Sequence, residues 1–375
     1  MTGHVRHLYV HLPFCAHRCG YCDFVTLVGR RGQHDAYVDG LLAELGLEQD
    51  RLAARLDTVF LGGGTPTFTE PLAFARLLSA LPPADEVTVE ANPETVTPEL
   101  ARLLRSGGVT RVSLGAQSFR PHLLQTLERT AGPDDVRRAF YHLRDVGFDN
   151  ISLDLIYGIP GQSAADLEAD IDEALALGPE HLSCYELEAK PGTRFTVTHG
   201  EELARQAEAM ETYFERVVAR LTANGYRWYE TANFCRAPEQ DCGRDLRARH
   251  NLAYWLGRDY LGLGIGAVST VDGLRWRNAP GISLYLAAVA AVEAPPRELE
   301  PLPDEVQLEE QVILGLRLDE PLALGRLATA VDDAAVERLQ RLGLVVRGGD
   351  GAEATLALTE RGRFLGGGVT AELLA

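Results

Sequence analysis

The sequence predicts an α/β fold: a partial (β/α)6 barrel over residues 1–225, an added α+β region over 226–300, and a small winged-helix-like module over 301–375. Three observations predict it. Residues 1–200 repeat one unit, a short apolar run that ends in a glycine, proline or polar residue and is followed by a helix-period segment. Strands alternating with helices argue for parallel pairing through right-handed crossovers. The repeat stops after six units, short of the eight of a closed barrel. The residues just after each apolar run are polar or glycine-rich, as expected where the carboxyl ends of barrel strands converge on a site.

In chain order, the apolar runs fall at 8–12, 58–61, 87–90, 111–114, 151–156 and 181–187. Helix-period segments lie between them at 34–55, 70–80, 97–107, 133–146 and 164–177. The strand ends carry a cysteine loop, then Gly62-Gly63-Gly64-Thr65-Pro66, then Glu90 to Pro93, Gln117, Asp154, and Glu186 with Glu188. Residues 201–223 place Leu203, Met210, Phe214, Val217, Val218 and Leu221 at helical spacing, which predicts one outer helix closed by Asn224-Gly225. Residues 226–234 read as a strand. The glycine-rich stretch 262–267 lacks the G-x-G-x-x-G spacing of a dinucleotide site, and its glycines are expected to allow close backbone approach. A proline-rich linker at 294–303 leads to helices at 305–315, 323–330 and 332–342 and to strands at 344–348 and 353–359.

The chemistry starts at Cys15, Cys19 and Cys22, spaced C-x3-C-x2-C in a loop after the first apolar run. Three thiolates from one loop can each hold one iron of a four-iron, four-sulfur (4Fe-4S) cluster. The fourth iron is then left for a small molecule with amine and carboxylate groups, as a catalytic zinc site keeps one position free. Zinc itself would call for a second C-x2-C, which does not follow. A disulfide would leave one thiol over in a cramped loop. Glu90 and Asp154, acids inside apolar runs, read either as partners of Arg111 or Arg129 or as acceptors for ligand hydroxyls.

Composition bounds the rest. Of 375 residues, 46% are hydrophobic and 24% charged, a globular balance with room for two or three domains. A net charge of −18 repels phosphate backbones, so no nucleic-acid partner is expected. The carboxyl-terminal module is acidic too, which argues against the DNA binding usual for a winged helix and for a lid or docking role. Cys184, Cys235 and Cys242 complete a cysteine set too small for a disulfide scaffold. No run reaches the roughly 18 apolar residues of a membrane span. A cytoplasmic location is expected, with peripheral attachment at a membrane left open.

The cysteine loop, with HLPFC, YCDF and LGGGTPT, resembles the radical S-adenosylmethionine (SAM) superfamily. Within it, the chain resembles the branch of oxygen-independent coproporphyrinogen III oxidase. Phe24 stands where the oxidases typically carry a further cysteine, and HNLAYW at 250–255 is similar to the heme-binding HNxxYW of the HemW-type heme chaperones. The resemblance implies a 4Fe-4S cluster on Cys15, Cys19 and Cys22, and SAM held by Tyr9, Tyr21, Gly63, Gly64, Thr65, Glu90, Gln117, Arg129 and Asp154. It implies heme at His250, Asn251, Tyr254 and Trp255, with His250 as axial ligand. The implied activity is heme transfer to an apo-protein acceptor, with an electron donor as a further partner. Radical decarboxylation of coproporphyrinogen III is the alternative.

Overall fold

The computed structural model of the chain describes residues 4–188, 190 and 194–374. Six strands follow the sequence expectation within a few residues: β1 (His7–Leu12), β2 (Leu56–Gly63), β3 (Ala84–Ala91), β4 (Arg111–Gln117), β5 (Ile151–Tyr157) and β6 (His181–Glu186). Helices α1 (His34–Glu48), α2 (Pro71–Ala80), α3 (Pro98–Ser106), α4 (Pro133–Asp145) and α5 (Ala164–Leu177) connect them. Local chemistry sets these helix ends. Thr97 caps α3 ahead of Pro98, Ser163 and Asp166 form a capping box on α5, and Gly178 ends α5 in the left-handed region.

All six strands pair in parallel in chain order. Their alternation is the key to the fold. On β3, Val87, Val89 and Ala91 pack into the main core under the helices, while Glu86, Thr88 and Glu90 occupy the opposite face. Likewise Val112 and Leu114 alternate with Arg111 and Ser113 on β4, and Leu153 and Leu155 with Ser152 and Asp154 on β5. The inner face of the barrel is therefore polar, and the outer face supplies the core.

Three expectations are corrected. The helix over 201–223 is two helices, α6 (Arg194–Gln206) and α7 (Met210–Ala223), broken by a 3-10 turn at Ala207–Ala209. Leu203 packs on the small cluster of Leu123, Ile159 and Phe195, whereas Met210, Phe214 and Val217 pack on the main core, so one straight helix cannot serve both. The strand over 226–234 is a hairpin of β7 (Tyr226–Trp228) and β8 (Asn233–Arg236), with Trp228 Nε1 donating to Thr231 O at 3.1 Å across the turn. That hairpin extends the sheet antiparallel beyond β6. After α8 (Arg249–Trp255), the glycine-rich stretch contributes β9 (Leu261–Leu263), which pairs parallel with β1 and extends the other edge. In the carboxyl-terminal module, the expected helix over 323–330 is a 3-10 segment, Gly325–Ala330.

Residues 268–301 add a three-stranded antiparallel sheet, β10 (Val268–Val271), β11 (Leu274–Asn278) and β12 (Arg297–Pro301), with α9 (Ile282–Ala290) packed on α1. The last part contains α10 (Asp304–Gly315), α11 (Asp333–Arg341), β13 (Val345–Gly348), β14 (Thr355–Leu358) and α12 (Gly366–Leu373), around a separate core that includes Val312, Val336, Leu356 and Leu373.

Candidate functional site

The cysteine loop leaves β1 at Pro13 and is pinned at its base. Phe14–Cys15 pairs in parallel with Leu27–Val28, and Gly29 N donates to Cys15 O at 2.8 Å. Cys15, Cys19 and Cys22 are free thiols and line one cavity at the carboxyl ends of β1–β5. Burial pushes the Cys15 thiol up to about 11 and also raises Cys22.

The glycine run after β2 forms the wall beside Cys15. Gly64 N donates to Leu12 O and Thr65 N to Phe14 O, each at 2.9 Å, which lays the run along the loop. A side chain at Gly64 would place its Cβ 2.6 Å from the Pro13 carbonyl and 3.0 Å from Cys15 Sγ. Gly63 has φ 111°, and its Cβ would meet the His11 ring at 2.5 Å. Both positions require glycine because of close approach. Thr65 Oγ1 donates to Cys15 Sγ at 3.4 Å and accepts from Asn92 Nδ2 at 3.1 Å.

Glu90 and Asp154 face this cavity, and among the described residues neither makes an ion pair with Arg111 or Arg129. Among the described residues Glu90 accepts from Gly63 N, at 3.1 Å. Burial, reinforced by Asp154, pushes its carboxyl up to about 7. Asp154 accepts from Ser113 Oγ at 3.0 Å, and burial raises it despite that bond and Arg111 nearby. Arg129 lies on the far wall. It donates to Asn92 Oδ1 at 3.0 Å and Gly115 O at 2.9 Å, and Nη1 reaches Cys19 Sγ at 3.7 Å. Its buried Nε has no hydrogen-bond partner among the described residues. Gln117 sits at φ 64° beside a register shift at Gly115, a strained placement at the end of β4.

The cavity thus collects Cys15, Cys19, Cys22, Tyr21, Gly63, Gly64, Thr65, Glu90, Gln117, Arg129 and Asp154. It leaves out Tyr9, which lies deeper along β1, bonds to His11 Nδ1 at 3.0 Å and stacks near Phe60. Tyr9 lines a second cavity, of about 300 Å³, together with Phe24, Tyr254 and Tyr260. The sequence reading did not single out Ser113 or Gly115, which follow from strand alternation once the β4 register is known. The donor set suits an iron–sulfur cluster with a bound amino acid moiety. It offers three soft thiol donors, bare glycine backbone, two buried carboxylates and an arginine.

The HNLAYW segment forms α8, which closes the barrel beneath this cavity. The carboxylate of Glu86, on the polar face of β3, accepts from Arg249 N and His250 N at 3.2 and 3.3 Å and so caps the helix. His250 is 1% exposed and stacks on Phe60. Its Nδ1 is 2.7 Å from Thr58 Oγ1 and its Nε2 is 2.8 Å from Tyr254 Oη. Both ring nitrogens are therefore engaged, and axial ligation by His250 is closed in this arrangement. Asn251, Tyr254 and Trp255 are half-buried, with Arg317 over the Trp255 ring.

Residues 9–174 match the radical SAM superfamily, and the thiol loop at the strand ends of an incomplete barrel defines a protein of that class. Over its whole length the chain is 38% identical to the heme chaperone HemW of Mycobacterium tuberculosis (strain ATCC 25618 / H37Rv), spanning 96% of that protein. It is 33% identical to the heme chaperone HemW of Bacillus subtilis (strain 168), with 96% of each chain covered. The chain belongs to the HemW family. The solved structure of coproporphyrinogen III oxidase (HemN) from Escherichia coli, a radical SAM enzyme, superposes with a TM-score of 0.81 over 99% of this chain and 90% of that one; at 23% identity this shows the fold.

Proposed function

We infer that the protein is a heme chaperone, which binds a 4Fe-4S cluster, SAM and heme and passes heme to an acceptor apo-protein. The observation that supports the cluster and SAM most directly is the single cavity shared by three free thiols, the glycine run, Glu90, Asp154 and Arg129. The full-length identity to heme chaperones supports the cargo. When bound, the cluster supplies one-electron reduction next to SAM. The chain's own residues do the rest. Cys15, Cys19 and Cys22 would hold the cluster as thiolates, and because burial raises the Cys15 and Cys22 thiols, loading would release protons. Arg129 pairs with the SAM carboxylate, and Gly63 and Gly64 let its amino group approach the backbone. Glu90, Gln117 and Asp154 offer acceptors for its remaining polar groups, and Tyr21 covers the loop side.

Heme binds at the α8 region through His250, Asn251, Tyr254 and Trp255. Because Tyr254, on the same helix, holds Nε2 and His250 is buried, ligation by His250 through Nε2 requires Tyr254 to swing away from the ring, while Thr58 can keep its bond to Nδ1. An acceptor protein and an electron donor complete the cycle, which we place in the cytoplasm. Among the described residues, no helix is long and apolar enough to cross a membrane.

The test uses anaerobically reconstituted full-length protein. Hemin titration is expected to give a Soret shift in wild type and a weaker one in His250→Ala, and loaded protein is expected to transfer heme to an apo-hemoprotein. An anaerobic assay with coproporphyrinogen III is expected to yield no protoporphyrinogen. Turnover in that assay, or the absence of any heme uptake by wild type, overturns the reading.

A further inference from the structure

A cavity of about 390 Å³ lies away from the cysteine loop, between the outer face of the barrel and the carboxyl-terminal module. Tyr157, Phe214, Trp228 and Phe364 contribute its aromatic walls, and Arg317 and Arg363 bring two guanidinium groups to it. The aromatic side chains pack against one another. Phe214 meets Trp228 edge-on at 5.5 Å, and Phe364 lies 5.2 Å from Trp228.

Arg363 is the anomaly. Its guanidinium carbon lies 3.6 Å over the Trp228 ring, its Nη2 is buried without a hydrogen-bond partner, and no ion pair to it occurs among the described residues. Stacking on an indole satisfies a guanidinium face but not its N–H edge. Arg317 shares part of the pattern. It lies over Trp255 at 4.3 Å and its Nε is buried without a hydrogen-bond partner among the described residues, but it is partly exposed and its Nη2 pairs with Glu230 at 3.6 Å. Burying an N–H donor without an acceptor is costly unless something else supplies one. The first turn of α12 faces the same cavity at Gly366 and Gly367, and no side chain caps it. Glu186 also lines the cleft, so the polar requirement left open is an acceptor for Arg363, and the aromatic walls favour a flat apolar body.

We propose that this cleft binds a planar aromatic carboxylate of tetrapyrrole size, with Arg363 pairing with a carboxylate of the ligand. This rests on the heme-chaperone reading and adds a second holding place to it, separate from α8. Trp255, on α8, stacks under Arg317 and connects the two places.

The experiment compares metal-free protoporphyrin IX, its dimethyl ester and hemin on full-length reconstituted protein, read by quenching of tryptophan fluorescence and by the Soret band. Protoporphyrin IX lacks iron and so reports a site that needs no axial ligand. Wild type is expected to bind it, and the ester and Arg363→Gln are each expected to weaken binding by about tenfold or more. Arg363→Lys is expected to recover part of the loss, and melting curves verify that both variants fold. Equal binding of acid and ester, or wild-type affinity in Arg363→Gln, overturns the proposal. If hemin still binds in that case, the heme-chaperone reading survives without it; if wild type binds neither hemin nor porphyrin, that reading fails first.

Discussion

Glu90 shows at the scale of one residue how the site costs the empty protein stability. Its carboxyl is held at about 7 by burial and by Asp154, with Tyr9 and Tyr185 adjacent and Arg111 only partly compensating. The folded state binds a proton there that the unfolded chain has released above about 4.5, so this contribution is intact at acid pH and lost as pH rises through 7. Glu90→Gln is therefore expected to melt above wild type at pH 8 in ligand-free protein, by about 1 °C for each kcal/mol regained, and to match it near pH 4. Differential scanning calorimetry at the two pH values decides this, and a variant less stable than wild type at pH 8 counts against it. The same substitution is expected to weaken SAM binding, since it removes a carboxylate from the cavity wall. Cys19→Ala is expected to lose the cluster absorbance at roughly 400 nm, because two cysteines cannot hold a three-ligand cube. A fully occupied cluster in that variant would remove the loop assignment. These residues were legible because acids inside apolar runs and three cysteines in one loop have few purely structural uses. Ser113 and Gly115 were not, because serine and glycine carry no chemical signal until a register aims them.

At the scale of elements, α8 is a plug whose polar contacts all point into the barrel. His250 is the pivot, with Thr58, Tyr254, Phe60 and His7 around it and Glu86 bonded to its backbone. Burial, with a small contribution from His7, lowers its ring to about 3, so it stays neutral in the fold. The unfolded chain takes up a proton below about 6.5 that the folded ring refuses, so this part of the stability is present at neutral pH and fades as pH falls toward 3. His250→Gln is expected to be less stable than wild type at pH 7, by about 1–3 kcal/mol for the disturbed buried bonds. The gap should narrow at pH 4, where wild type alone carries the histidine penalty. Urea unfolding of ligand-free protein at both pH values measures it, and a gap that widens in acid contradicts the buried neutral imidazole. The sequence revealed α8 and the pairing of His250 with Tyr254 through their i, i+4 spacing. It did not reveal the barrel residues that fill both ring nitrogens, since Thr58 is 192 residues away. The break between α6 and α7 escaped notice for a related reason: helical spacing persists through 201–223, while the two apolar clusters that bend the chain are tertiary.

For the whole molecule, the question is how firmly the carboxyl-terminal module sits on the barrel. The module has its own core, and a set of polar and aromatic contacts ties it to the barrel. Arg227, on the β7–β8 hairpin, bonds to both oxygens of Asp319 at 2.7 and 2.9 Å and to Glu320 at 3.1 Å, and Arg247 reaches Glu320 at 2.8 Å. Bidentate geometry makes the Arg227–Asp319 contact stronger than an ordinary surface pair. Phe364 packs on Trp228 and Phe214 beside this latch, along one wall of the cleft. Arg227→Ala leaves Asp319 half-buried without its fork, a loss of about 1–3 kcal/mol. Because the module's core is separate, that loss is expected to appear as local opening more than global unfolding. Hydrogen exchange is expected to quicken in α10, α12 and the β7–β8 hairpin while β1–β5 stay protected, and porphyrin bound in the cleft is expected to restore part of the protection. Uniformly faster exchange across the barrel would instead mean that module and barrel unfold as one unit, and that the latch belongs to the core rather than to a hinge.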